Sequence, residues 1–216
     1  MIVVSDLEGT LTAGATWRGM ADYLKTHGKA VEYQARFAWW LPRFMLVRLH
    51  LADEQSMKNA WLITLLGMLA GASLEDYRRM SEWVVEREMW PQRRAGVLAE
   101  IERQRQAGAR VIIASGTFQA MAESFAARIG AEALASEVEV VDGRITGRPA
   151  AGISVRGTKA RRVQELLGGQ PVAVAYGDTE SDVPLLELAR EAVAVCPDDA
   201  LRRVAQARGW RIVEPG

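Results

Sequence analysis

One cysteine in 216 residues, Cys196, excludes an intramolecular disulfide framework and a cysteine-built zinc site, and it fits a reducing compartment. Cys196 itself reads as a small strand residue. Charge of one sign is missing too. Twenty-seven basic residues balance twenty-seven acidic ones, so the overall field favours neither nucleic acid nor an anionic membrane. The pairs Arg93-Arg94, Arg161-Arg162 and Arg202-Arg203 read as solvated helix faces. Long apolar runs are absent. Residues 37–51 and 60–71 are the most apolar stretches, both too short for a clean span, and the first contains Pro42, Arg43 and Arg48. The first six residues carry no basic region or cleavage-site pattern, so the expected location is the cytoplasm. His27 and His50, the two histidines, lie far from any motif and are not expected to bind metal or act as bases. No internal repeat or low-complexity tract is present.

What is there is an ordinary globular balance, 49% hydrophobic and 25% charged, in a chain long enough for one core plus a smaller inserted unit. Three short apolar runs end in small and polar residues. Ile2-Val3-Val4 precedes Ser5-Asp6, Val111-Ile112-Ile113-Ala114 precedes Ser115-Gly116-Thr117, and residues 171–176 precede Gly177-Asp178. Amphipathic helices are expected after the second and third, over 118–129 and 183–190. This is the pattern of an α/β fold with a doubly wound parallel sheet, in which ligands bind beyond the carboxyl ends of the strands. Gly108, Gly130 and Gly209 stand where helices should end. Between residues 16 and 90 the strand pattern gives way to helix rich in Trp, Met and Leu, with Thr16 and Ser73 as N-cap candidates. The expected division is a catalytic core of 1–15 and 91–216 with a helical cap of 16–90. Residues 138–146 alternate around Asp142-Gly143, a hairpin signal.

Asp6 and Glu8 sit two residues apart at the end of the first strand, so both side chains can face one pocket, although an acidic residue after a strand is often only a turn or cap. Ser115-Gly116-Thr117 opens a helix, offering a hydroxyl and free N–H groups to an anion, or simply capping that helix. The run from Gly177 to Asp182 supplies oxygen ligands suited to a hard cation such as Mg²⁺. Lys159, after Gly157-Thr158, begins another helix, where a lysine normally faces water.

Taken in order, Asp6-Leu7-Glu8-Gly9-Thr10, Ser115-Gly116, Lys159 and Gly177-Asp178 through Asp182 resemble the four motifs of the haloacid dehalogenase superfamily, phosphoserine-phosphatase-like branch. The hairpin around Asp142-Gly143-Arg144 and the run Ser181-Asp182-Val183-Pro184-Leu185-Leu186 add to the likeness. The resemblance implies a Mg²⁺-dependent phosphatase acting on a small phosphorylated substrate. It makes Asp6 the nucleophile that becomes an aspartyl-phosphate, and Glu8 the general acid and then base. Asp6, Asp178 and the Glu8 backbone carbonyl would hold the metal, with Asp182 in its outer shell or orienting Lys159. Thr10, Ser115, Gly116 and Lys159 would bind the phosphate. Glu8 departs from the pattern, which has aspartate there, and this leaves open a slower catalyst or an inactive phosphate-binding relative. Phosphoserine phosphatases carry a glutamate nine residues after the nucleophile, and here that position is Ala15, which argues against phosphoserine itself. The aromatic stretch of 37–47 with Arg36, Arg43 and Arg48 suits cap packing, or an apolar ester or lipid surface. A phospho-accepting regulator is disfavoured, because there the acceptor lies on a strand after the acidic pair.

Overall fold

The computed structural model describes residues 1–49, 51, 53–151 and 158–214; His50 and Gly157 lie outside the described residues. The chain begins with β1 (Ile2–Ser5), then passes through α1 (Thr16–Thr26), α2 (Ala30–Arg48), α3 (Glu54–Gly67) and α4 (Leu74–Val84), with a π turn at Val85–Met89. Next come α5 (Ala95–Gln106), β2 (Arg110–Phe118), α6 (Gln119–Ala127), β3 (Glu132–Ser136), β4 (Val138–Val141) and β5 (Arg144–Pro149). The rest is α7 (Thr158–Leu167), β6 (Val172–Gly177), a 3₁₀ turn at Glu180–Asp182, α8 (Val183–Leu186), β7 (Ala189–Val195), α9 (Asp199–Arg208) and β8 (Arg211–Val213).

Six strands form one sheet in the order β3-β2-β1-β6-β7-β8, and every neighbouring pair is parallel. The central strands β1 and β6, and β2 from Val111 to Ala114, are apolar because both faces are covered, whereas β3, β7 and β8 carry charged residues where they are exposed. Alternation then sorts the side chains by face. Val3, Val111, Ile113, Val174 and Tyr176 pack with Val97 and Ile101 of α5 and Phe125 of α6. Ile2, Val4, Ile112 and Ala175 pack instead with Val163, Leu186 and Leu201 from α7, α8 and α9. The doubly wound sheet is therefore as the sequence predicts. β4 and β5 form a separate antiparallel pair, turned by Asp142 and Gly143, both with positive φ (49° and 73°) as a tight primed turn requires.

Two backbone bonds stitch the ends of the helical insert together, Ala13 N–H to the Gln92 carbonyl at 2.9 Å and Arg94 N–H to the Leu11 carbonyl at 2.8 Å. The insert shares a core with the sheet, since Leu7, Leu11, Met20, Leu65, Met80, Val84 and Phe125 belong to one continuous cluster.

Several local expectations need correction. α8 is a single turn, not a helix over 183–190, because β7 already begins at Ala189. Ser73 does cap α4, its side chain accepting from Asp76 N–H, but Thr16 is the first residue of α1 rather than its cap, and its hydroxyl is used elsewhere. Cys196 lies beyond β7 with φ 43°, at the point where its N–H reaches across to the Val213 carbonyl. The segment 115–117 does not open α6. It prolongs β2, where three residues stand opposite the single residue Ala135 between the paired positions Ala114–Leu134 and Phe118–Ser136. Such a bulge breaks the ladder and re-aims the side chains within it.

Candidate active site

β1, β2 and β6 lie side by side, and their carboxyl ends deliver Asp6, Ser115 and Asp178 to one opening. Ser5 closes β1, and Asp6 N–H still bonds the Tyr176 carbonyl at 3.0 Å, so the Asp6 side chain is fixed by the sheet itself. Lys159 enters from the first turn of α7. It is 8% exposed, and its ammonium donates to Asp6 Oδ1 at 2.9 Å and to Asp182 Oδ1. The water-facing alternative for this lysine is thus excluded.

Asp182 is itself held from behind, its Oδ2 accepting the backbone N–H groups of Asp178 and Thr179 at 3.3 and 3.1 Å. One oxygen each of Asp6, Asp178 and Asp182 lie within 4.8 Å of one another. Three carboxylates around one ammonium leave an excess of negative charge. Burial pushes Asp6 up to about 7, an effect that Asp182 reinforces and Lys159 opposes. Burial pushes Asp178 up to about 8, with repulsion from Asp6 and Asp182 adding to it. The same two carboxylates raise Lys159 despite its burial, so it stays charged. A buried, all-oxygen, electron-rich cluster of this kind fits a small hard divalent cation such as Mg²⁺.

Gly9 makes the cluster possible. Its φ is +85°, and a Cβ there would stand 1.9 Å from Asp178 Oδ2. Thr10 differs from expectation: it is fully buried, does not line the opening, and donates its hydroxyl to Asp178 Oδ1 at 2.8 Å. It orients a cluster carboxylate and does not face an incoming anion.

Glu8 faces the same opening from the other side. Its Oε1 accepts the Thr16 N–H at 3.0 Å and the Thr16 hydroxyl, and that hydroxyl lies 2.5 Å from the Thr117 hydroxyl. Burial raises the Glu8 pKa, and the two Thr16 bonds together with Lys58 and Lys159 pull against that rise. Ser115 is buried at the floor, and Gly116 is tied by its carbonyl to the Ser136 hydroxyl at 3.1 Å. The cavity above has a volume of about 280 Å³.

Its outer wall includes Gln55, Lys58, Asn59, Leu62 and Trp17, which the sequence did not mark as site residues, beside Thr16, expected only as a helix cap, and Ala15. Gln55, Lys58, Asn59 and Leu62 come from α3, and Thr16, Trp17 and Ala15 from the start of α1. The signal for the first four was present in part, because positions i, i+3, i+4 and i+7 share one helix face, and three of them are polar. Thr16 and Thr117 carried no such pattern. His27 is remote, stacked on Tyr23 with ring centroids 3.9 Å apart.

Comparisons with known proteins bear on the family and the fold. A Mycobacterium tuberculosis protein named phosphoserine phosphatase SerB1 is 39% identical over 112 residues, covering 49% of this chain and 36% of that protein. The chain spans between about a third and a half of the length of such curated relatives. A solved structure of a protein of unknown function from Bordetella pertussis Tohama I superposes with a TM-score of 0.81 at 26% identity, covering 100% of this chain and 98% of that one. A probable phosphoserine phosphatase from Vibrio cholerae shares the fold, with a TM-score of 0.66 at 19% identity, over 100% of this chain and 60% of that one. The sequence profile of haloacid dehalogenase-like hydrolases matches residues 3–187, which include β1 from Val3, β2, β3 and β6 of the sheet and all of the site described above, and stop short of β7 and β8. The chain belongs to the haloacid dehalogenase-like hydrolase family.

Proposed function

We propose that this chain is a Mg²⁺-dependent phosphomonoester hydrolase that works through an aspartyl-phosphate on Asp6. The observation that carries the reading is the buried Asp6-Lys159-Asp182 array with Asp178 beside it, at the floor of a cavity whose opposite side presents Glu8. Asp6, Asp178 and the Glu8 backbone carbonyl would hold the cation. When bound, it neutralises phosphate charge that would otherwise repel a carboxylate nucleophile.

Lys159 supplies the second positive charge, and Asp182 keeps it in place. The Ser115 hydroxyl and Gly116 N–H hold the phosphoryl oxygens. An Asp6 oxygen attacks phosphorus, the bond from phosphorus to the ester oxygen breaks, and Glu8 gives its proton to that departing oxygen so that it leaves as the alcohol. Glu8, now a carboxylate, takes a proton from water. The resulting hydroxide attacks phosphorus, releasing inorganic phosphate and restoring Asp6. Burial of Glu8 supports the acid role, since it favours the protonated form. Thr10 acts as a positioning residue for Asp178. Residues 16–90 serve as a cap in this reading, supplying the wall above the phosphate.

That wall bears on the substrate. Ala15 offers no carboxylate, its N–H is bonded to Glu88 Oε1 at 3.1 Å, and Glu88 is paired with Arg18 at 3.0 Å. Lys58, Gln55 and Asn59 are the polar groups α3 contributes. A small ester with a neutral or anionic leaving portion suits this wall better than one bearing an ammonium, so phosphoserine is disfavoured. The test is phosphate release from a panel of amino-acid, sugar, nucleotide and glycerol phosphates, with Mg²⁺ or chelator, for the native chain and Asp6→Asn. Turnover that requires Mg²⁺ and disappears in the variant is expected. Mg²⁺ binding without turnover of any ester would sink the hydrolase reading in favour of a phosphate-binding relative.

A further inference from the structure

α2 is apolar on the wrong side as well as the right one. Tyr33 and Trp40 face inward, where they meet Trp61 of α3 at ring-centroid distances of 5.9 and 5.6 Å, and Phe44 joins them. At 3.6 residues per turn the opposite face carries Ala35, Ala38, Trp39, Met45 and Leu46, with Leu41 at its margin, all exposed, and Trp39 63% and Met45 57% accessible. A helix with two apolar faces ordinarily lies inside a protein or against something that replaces water. Leu49 and Leu51 continue the exposed patch past the end of the helix. Exposed apolar residues scattered singly need no explanation, but a contiguous face marks a contact surface.

The edges of the face indicate what covers it. In a chain of zero net charge, residues 29–51 hold Lys29, Arg36, Arg43 and Arg48 against the single acidic residue Glu32. Arg36 is paired with Glu32 at 3.2 Å and Lys29 donates to the Met68 carbonyl, which leaves Arg43 on one side of the stripe and Arg48 on the other; Arg43 lies over the Trp39 ring at 4.0 Å. A tryptophan and arginines at the border of an apolar helix face match the boundary of a bilayer, where the ring sits at headgroup level and the cations meet anionic lipid. Trp, Met and Arg are common at protein interfaces too; what favours an anionic bilayer here is the positive charge of Arg43 and Arg48 on the two edges of the face. No described helix is long and apolar enough to cross a membrane, so α2 would lie in the interface plane.

We propose that the outer face of α2 docks this chain on an anionic phospholipid surface. None of its stripe residues lines the catalytic cavity, so the surface and the reaction can be separated experimentally. The test is co-sedimentation of the full chain with phosphatidylcholine vesicles with and without phosphatidylglycerol, at low and high salt. The chain is expected to sediment with the anionic vesicles and to be released partly by salt. Trp39→Glu and Met45→Glu should each lower the partition coefficient about tenfold or more. Circular dichroism and turnover of a water-soluble phosphomonoester should stay as in the native chain. Failure to bind either vesicle overturns the proposal. So does sedimentation of the free chain as a dimer that Met45→Glu makes monomeric, since the face then belongs to a second copy.

Discussion

Glu8 is bonded twice by one residue, through the N–H and the hydroxyl of Thr16, and that hydroxyl is in turn 2.5 Å from Thr117. A glutamate in place of the family's aspartate has one more rotatable bond, and Thr16 removes the freedom that bond would add. Loss of the hydroxyl in Thr16→Val leaves the N–H bond and should slow phosphate release about five- to tenfold, corresponding to roughly 1 kcal/mol. It should also move the alkaline limb of the pH profile upward. A hydrogen bond to the carboxylate holds its pKa down, so losing it keeps Glu8 protonated to higher pH. Thr16→Ser should restore both, and a profile that does not move in the Val variant would remove Thr16 from this role.

Gly9→Ala should disable cation binding. Two effects act together there, a positive φ and the 1.9 Å approach of a new Cβ to Asp178 Oδ2. Gly71→Ala separates them, because Gly71 has φ +82° with nothing within 4 Å. Both variants should lose about 1–2 kcal/mol to backbone strain. Only Gly9→Ala should also lose Mg²⁺ binding, as read by calorimetric titration.

The acidic cluster makes stability depend on pH and on the cation together. Asp6 and Asp178 rise to about 7 and about 8, far above an unfolded aspartate near 3.9, so the folded chain binds more protons than the unfolded one between these values. Stability of the metal-free protein therefore falls as pH rises from about 4 towards 8. Mg²⁺ should displace those protons, and its increase in Tm should be larger at pH about 8.5 than at about 6. Differential scanning fluorimetry with Mg²⁺ or chelator at both values measures this, and an equal shift at both would contradict it.

Lys159→Met leaves Asp6 and Asp182 without their shared counter-ion. Removing one partner of a buried pair costs about 3–5 kcal/mol. The variant should lose phosphate release, and its melting temperature should recover in part with Mg²⁺, since a divalent cation restores some of the missing charge. A melting curve unchanged from the native chain would show that Lys159 is not buried as described.

The three central strands were legible in the sequence because they are buried on both faces and read as apolar runs ending at Asp6, Ser115 and Asp178, whereas β3, β7 and β8, which carry exposed charged residues, were not. The hairpin was legible because Asp142-Gly143 can adopt the two positive φ values that few other pairs tolerate. Where sequence reasoning missed, tertiary contacts had overridden local pattern. Thr16 looks like a helix cap but bonds to Glu8. Thr10 looks like an anion ligand but turns away to Asp178. Residues 115–117 look like a helix start because small polar residues suit both a cap and a bulge. The outer wall of the cavity could be found only in part, since the helical spacing of Gln55, Lys58, Asn59 and Leu62 gives a shared face without saying what that face looks upon.

The single core that runs from Leu7 and Leu11 through Met20, Leu65 and Val84 to Phe125 limits how the protein can be remodelled. Helices that supply half of a hydrophobic interior are not a detachable module. Excising residues 16–90, or grafting in the corresponding segment of a relative, would strip the apolar support from the very loop that carries Asp6 and Glu8. Changes of specificity are thus best sought by point substitution at Gln55, Lys58 and Asn59 of α3 and at Trp17, which line the cavity and are not part of the buried core cluster, unlike Leu62.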